Sequence, residues 1–270
     1  MTPRLFLTAV SLQARKLMSY RVAFWATAII AFAAELVVAV FLWRAIFEAS
    51  GEESIGGFTY GGMLLYYVCA LLTAKLVYGR ERDLSVSEDI YQGHLTRYLI
   101  YPVSYGVFKY AEHLGSMVPS LVQVLLFAGA AGFILPLPSD LGITPATVAM
   151  ALVSILVAGL FVFALRFTVQ LVSFWADNVW SLNVMLRFSM EFLGGLMLPL
   201  SLFPEVVRQV LAATPFPYIF YVPVTTLLGR VSVAEWLRGL VVTSAWIVVV
   251  VLVARWVWAR GNRVYSGVGI

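Results

Sequence analysis

Apolar residues occupy this chain in long runs, and six of these runs reach the length of about 20 residues needed to cross the hydrocarbon core of a bilayer. They lie near 22–46, 59–79, 111–135, 145–166, 181–203 and 238–259. The pattern predicts an all-α fold: a polytopic membrane protein with six transmembrane helices, forming a single transmembrane domain over residues 1–270. Within residues 1–20, Arg4, Thr8, Ser11, Arg15 and Ser19 recur at helical spacing, with Phe6, Ala9, Val10 and Leu17 on another side. That alternation predicts an N-terminal amphipathic helix in the membrane interface, its basic side toward anionic headgroups. Leu5, Leu7 and Leu12 interrupt the polar stripe.

From Phe192 to Arg230 the chain stays apolar but changes its punctuation. After the pair Gly194 and Gly195 come Pro199, Pro204, Pro215, Pro217 and Pro223, each of which removes a backbone donor. A straight spanning helix is excluded. Lipid tolerates irregular backbone only where protein or water covers it, so residues 198–228 are expected to form a re-entrant extracytoplasmic hairpin before the last span. An oily surface loop after a span is the simpler alternative.

Composition narrows the class further. Of the 270 residues 61% are hydrophobic and 12% charged, with a mean hydropathy of +0.91, far from an average soluble domain. The formal charge of +4 comes from basic residues dispersed beside apolar runs, which argues against a nucleic-acid partner and for topology signals. Arg4, Arg15, Lys16 and Arg21 precede the first span, whereas Glu48, Glu52 and Glu53 follow it. Arg80, Arg82, Arg97 and Lys109 follow the second span, Asp140 stands alone near 136–144, and Arg260 and Arg263 lie in the tail. The positive-inside rule then predicts a multi-pass protein of the cell's inner membrane with both termini cytoplasmic. Arg208, Arg230 and Arg238 are the dissenting charges. The first run is full length and lacks a small-residue cleavage site, which predicts a retained anchor.

Residues 80–109 form the one sizeable polar island on the cytoplasmic side, too short for a core of its own. Gly93 and Pro102 divide it, and Ile90, Leu95, Tyr98, Leu99 and Tyr101 supply apolar and aromatic anchors, either for a partner's pocket or for packing back onto the bundle.

Chemistry-bearing patterns are sparse. No glycine-rich turn ends in Lys-Ser or Lys-Thr, so ATP-driven work requires another subunit. Neither HExxH nor GxSxG occurs, and no catalytic residue is assigned. The histidines His94 and His113 and the lone Cys69 fall short of the converging ligands a metal needs. Charges at membrane depth are costly and therefore informative: Glu35, Lys75, and the pair Arg187 and Glu191, four residues apart on one helix face. Glu35 lies about 20 Å into the first span at 1.5 Å per residue. A substrate site and structural pairing are both open for it, while structural pairing is expected for Arg187 and Glu191.

Three stretches carry a resemblance: IYQGHLTRYLIYPVSY in the island, SFWADNVWSLN between the fourth and fifth runs, and GGLMLPLSLFPEVVRQVLAATPFPYIFYVPVTTLLGR. Together with the N-terminal helix and the broken hairpin, they resemble the membrane subunit of the type-2 ABC exporter family, in its permease branch. The resemblance implies a transporter of two such permease subunits, homodimeric or heterodimeric, and two cytoplasmic ATP-binding subunits that hold ATP and Mg, with no cofactor on this chain. It implies a coupling segment at Ile90, Tyr91, Gly93, His94, Leu95, Tyr98, Leu99 and Pro102, and an outer gate shaped by Pro199, Pro204, Pro215, Pro217 and Pro223. An apolar lining with few charges fits export of an amphipathic or lipid-like molecule. Two alternatives stand beside this reading: a membrane scaffold recruiting a soluble partner through residues 80–109, and an intramembrane enzyme using Glu35, Glu112 or Glu191 with His113.

Overall fold

The computed structural model describes residues 2–79, 83–101, 103–134 and 142–267. Arg80, Arg82, Pro102 and Asp140, all used above, lie outside the described residues. All regular elements among the described residues are helices: α1 Pro3–Ser19, α2 Arg21–Ser50, α3 Tyr60–Tyr78, α4 Ser85–Tyr91, α5 Leu95–Leu99, α6 Tyr105–Ile134, α7 Pro145–Gln170, α8 Trp180–Leu193, α9 Glu205–Ala212, α10 Tyr221–Leu227 and α11 Val233–Val264. Short 3-10 turns at Leu171–Phe174, Leu200–Leu202 and Phe216–Tyr218 link them.

Five of the helices, α2, α3, α6, α7 and α11, are long and apolar enough to cross a membrane. The protein is an all-α polytopic membrane protein. The apolar run near 181–203 contains a shorter helix, α8, of 14 residues. It stops because Gly195 adopts a left-handed φ of 87°, and the N–H groups of Leu196 and Met197 both fold back onto the Glu191 carbonyl, at 2.9 and 3.1 Å. Span α6 begins at Tyr105, earlier than its apolar run suggests, because buried Lys109 and His113 continue the helix. Span α11 opens on a reciprocal cap in which Ser232 and Glu235 satisfy each other's backbone N–H groups.

Helix α7 stands at the centre and packs against α3, α10 and α11. Ala158, Phe161 and Val162 of α7 enter a core shared with Val77, Met190, Ile219, Phe220 and Val250. A second core, around Trp43, Phe58, Tyr66, Tyr67 and Val224, joins α2, α3 and α10 at one end of the bundle. At the other end Val86, Ile90 and Leu95 of the polar island pack with Tyr105, Phe167, Leu171, Phe174 and Ala254.

The N-terminal helix is capped by the Thr2 hydroxyl, with Pro3 at its first position. Its buried face is Ala9, Gln13 and Ala14, pressed onto α6. Leu5, Leu7 and Leu12, which interrupt the polar stripe, are all exposed on this chain. The crossing is made at Gly115, where an added Cβ would lie 2.5 Å from the Val10 carbonyl oxygen and 2.8 Å from Gln13 Cβ. Neither contact is tolerable for carbon, so Gly115→Ala is expected to cost about 1–3 kcal/mol by overpacking. A lowered unfolding midpoint of the detergent-extracted protein would show it, and an unchanged midpoint would mean that α1 is free to move away.

Candidate functional site

The polar island folds into α4 and α5, separated by Gly93 at a φ of 73°. Both helices are held by the spans. The first N–H groups of a helix have no intrahelical acceptor, and in α4 those of Val86 and Ser87 donate to the Gln170 side-chain oxygen, at 3.1 and 3.3 Å. The Gln170 side-chain nitrogen donates to the Asp83 carbonyl at 3.2 Å. The last residue of α7 therefore caps a helix of the island.

A second anchor comes from α6. Asp89 on α4 accepts the Tyr105 hydroxyl at 2.9 Å and Lys109 Nζ at 2.7 Å. Lys109 also meets Glu112 at 3.2 Å, and its side chain is 5% exposed. Arg97 approaches Asp89 at 3.5 Å from the solvent side and stacks on Tyr98, 4.8 Å from the ring centroid. The hydrogen bond to the Tyr98 hydroxyl is the first cause that raises the Arg97 guanidinium above its ordinary pKa. On α5, the Thr96 N–H and hydroxyl both meet the Tyr265 hydroxyl at 3.1 Å, which ties α5 to the segment after α11.

This packing sorts the island's residues. Ile90 and Leu95 are turned inward, at 2% and 0% exposure, and belong to the protein's own core. Tyr91, His94, Leu99 and Tyr101 are exposed, as is Ile100 at 77%, while Tyr98 is half-buried between the two groups.

The proline-rich stretch resolves into short helices at the opposite end. Pro199, Pro204 and Pro215 each stand immediately before a helical turn, and Pro217 and Pro223 fall within first turns, where the lost N–H has no partner in any case. Two tyrosines of α3 secure the start of the stretch. Tyr66 donates to the Gly195 carbonyl at 2.6 Å and Tyr67 to the Met197 carbonyl. The Tyr221 N–H donates to the Gly194 carbonyl at 2.9 Å, which closes the stretch on itself. Close approach is made at Gly195, where a Cβ would lie 2.9 Å from Tyr221 Cβ; Gly62 instead meets only the residues of its own helix start. Two of the basic residues at this end, Arg208 and Arg230, have local partners. Arg208 pairs with Glu205, and Arg230 donates to the Gly57 carbonyl at 2.9 Å while stacking on Phe58 at 4.2 Å.

Among the charges expected at membrane depth, Arg187 Nε meets Glu191 Oε1 at 2.7 Å along α8. This pair lines a cavity of about 560 Å³ together with Tyr78, Arg166, Trp180, Phe188 and Met197. Leu84 of the island also borders it. Lys75 Nζ lies 6.0 Å from the Phe127 ring centroid, at the seam where Phe127 stacks on Phe32 of α2. Glu35, one turn further along α2 from Phe32, is exposed on this chain. His113 is buried between the rings of Tyr110 and Phe163. Among the described residues no cluster of three or more His, Cys, Asp or Glu occurs. Gln170, Tyr66, Tyr67, Asp89 and Gly115 are structural residues that the sequence pattern did not single out, and Lys109 entered there only as a topology charge.

A helical integral membrane protein with a polar island locked to three spans, and a cavity that mixes aromatic walls with charge, has the parts of a transport subunit. Residues 33–269 match the family described as ABC-2 family transporter protein, and the chain belongs to that family. It is the permease subunit of an ABC transporter, a class of membrane subunit that works with ATP-binding components. No curated protein and no solved structure matched the chain.

Proposed function

We propose that the chain is the permease of an exporter for an amphipathic or lipid-like molecule, placed in the inner membrane with both termini cytoplasmic and powered by a separate ATPase subunit that binds ATP and Mg. The observation that carries this reading is the cavity between α3, α7 and α8. It is bordered by the island at the end that would face the cytoplasm, and it sets Trp180 and Phe188 beside the Arg187–Glu191 pair. Such a lining gives an apolar body its solvation and a polar head its hydrogen bonds. A nucleotide-driven approach of the ATPase subunits would push α4 and α5, and the spans would tilt around the cavity toward the hairpin carrying Pro199, Pro204, Pro215, Pro217 and Pro223. A second permease, identical or related, completes the path. The apolar residues Ile30, Val37, Val38 and Phe41 on exposed parts of α2 are suited to that partner or to lipid.

Copurification through a C-terminal tag in mild detergent, read by mass spectrometry, tests the assembly. Stoichiometric recovery of an ATP-binding subunit supports the reading, and its absence under several mild conditions sinks it. The same experiment separates the two faces of the island. Leu99→Asp with Ile100→Asp is expected to lower recovery of the ATPase about tenfold or more, as for loss of an interface hot spot, with the permease itself still folded. Ile90→Asp is expected to reduce folded permease instead, since it buries an unpaired carboxylate. Full recovery of the ATPase with the Leu99 and Ile100 double variant would move the docking surface elsewhere.

A further inference from the structure

A second cavity of about 500 Å³ opens between α6, α7 and α11 at the island end of the bundle, and the function above does not use it. Its walls are Tyr110, Leu160, Phe163, Phe167 and Trp258, and Tyr98 and Leu99 of the island close one side. Tyr105 and Trp258 are stacked there at 5.4 Å. One charged residue lines the cavity, Arg255, and no acidic residue does. Arg255 is exposed and forms no ion pair among the described residues. Arg260, on the same helix, stacks on Trp256 at 4.5 Å and adds a further positive charge toward the end of α11.

We propose that this groove is a binding site for one anionic phospholipid of the cytoplasmic leaflet, with an acyl chain among the aromatic walls and the headgroup phosphate at Arg255. Three observations select this occupant over a soluble ligand or a protein segment. The walls are apolar and aromatic over about two turns of each of three spans, Tyr105 to Tyr110, Leu160 to Phe167 and Val251 to Trp258, which suits part of an acyl chain. The charge is positive and unopposed in the lining, as a phosphate requires. The rings of Tyr105 and Trp258 and the guanidinium of Arg255 lie toward the helix ends, where aromatic belts and basic pockets meet headgroups. A lipid held there would touch Tyr98 and Leu99, so it would brace the island against α11. The leaflet assignment rests on the orientation proposed above. The site itself needs only this chain.

The test is native mass spectrometry of the full-length, detergent-extracted permease titrated with phosphatidylglycerol or phosphatidylethanolamine. The wild-type chain is expected to retain one phosphatidylglycerol about fivefold better than phosphatidylethanolamine, the preference one basic residue near a membrane surface supplies. Arg255→Gln, an exposed change, is expected to bring the ratio near one while leaving some binding of both lipids. Gly106→Leu is expected to reduce both lipids together, because Gly106 lines the groove and its Cβ would already lie 3.4 Å from the Phe167 ring. A phosphatidylglycerol carrying a photoreactive acyl chain should label peptides containing Leu160 or Trp258 in the wild type, which keeps the test decisive if Gly106→Leu does not fold. An unchanged headgroup ratio in Arg255→Gln, labelling confined to α2, or crosslinking of Leu160 to a second permease would each overturn the proposal. Retention of lipid by a chain that recovers no ATPase would leave the lipid site standing and remove the transporter assembly.

Discussion

Lys109→Met is expected to destabilise the permease by about 3–5 kcal/mol, the usual consequence of removing one partner from a buried ion pair. Lys109 is enclosed by Asp89, Glu112 and the rings of Tyr98 and Tyr105. Methionine fills similar volume but leaves the buried Asp89 carboxylate with the Tyr105 hydroxyl and the more distant Arg97. The loss should appear as a much lower unfolding midpoint and as ready proteolysis within residues 83–101. The charge account makes a sharper demand on the double variant. Asp89→Asn combined with Lys109→Met removes both charges, so it is expected to recover most of the stability lost in Lys109→Met. If the double variant were as unstable as the sum of the two single ones, packing of the lysine stem and not charge pairing would be the cause.

The spans were legible because a bilayer demands long apolar runs, and α2, α3, α7 and α11 follow those runs closely. The exceptions share a cause, which is that hydropathy does not see pairing. Lys109 read as the end of a loop before the run at 111–135, yet α6 already begins at Tyr105, because the lysine is neutralised by two carboxylates, one of them Glu112 at the start of that run. Helix α8 ends at Leu193 inside a run that stays apolar, because the left-handed backbone at Gly195, with Tyr66 and Tyr67 holding the carbonyls beyond it, is a conformational matter.

Within the island, the anchoring residues were visible but their facing was not. Gly93 turns the chain with a positive φ and resets the helical phase, so spacing counted through it from Ile90 to Leu95 and Leu99 carries no information about a common face. The structure turns the first two inward and the third outward. Gln170 gave no signal at all. A glutamine at the end of an apolar run resembles any span terminus, and its partners lie more than 80 positions earlier in the chain. Arg230 read as a dissenting topology charge, while its hydrogen bond to the Gly57 carbonyl and its stacking on Phe58 give it a local structural role.

Gln170→Leu is expected to uncouple the transporter more than it unfolds it. Leucine keeps the bulk near α4 but strands the N–H groups of Val86 and Ser87, at about 1–3 kcal/mol for each group that water does not reach, while the Asp83 carbonyl keeps the Arg166 guanidinium at 3.2 Å. The core formed by Ile90, Leu95 and Phe167 and the Asp89–Lys109 pair remain, so the island should stay docked on the bundle. Its start then loses the cap from Gln170 but keeps the bond from Arg166 to the Asp83 carbonyl, made by the same α7 residue that borders the charged cavity. In the proposed mechanism a displacement of α4 reaches α7 through this cap, so the variant should still recover the ATPase subunit, through Leu99 and Ile100, while transport per ATP hydrolysed falls several-fold in reconstituted vesicles. Gln170→Glu separates the two hydrogen-bonding roles. Its carboxylate can still accept from Val86 and Ser87, but it cannot donate to Asp83, so an intermediate loss is expected. Wild-type coupling in Gln170→Leu would show that the push travels through Lys109 of α6 or Arg166 of α7 and not through the Gln170 cap.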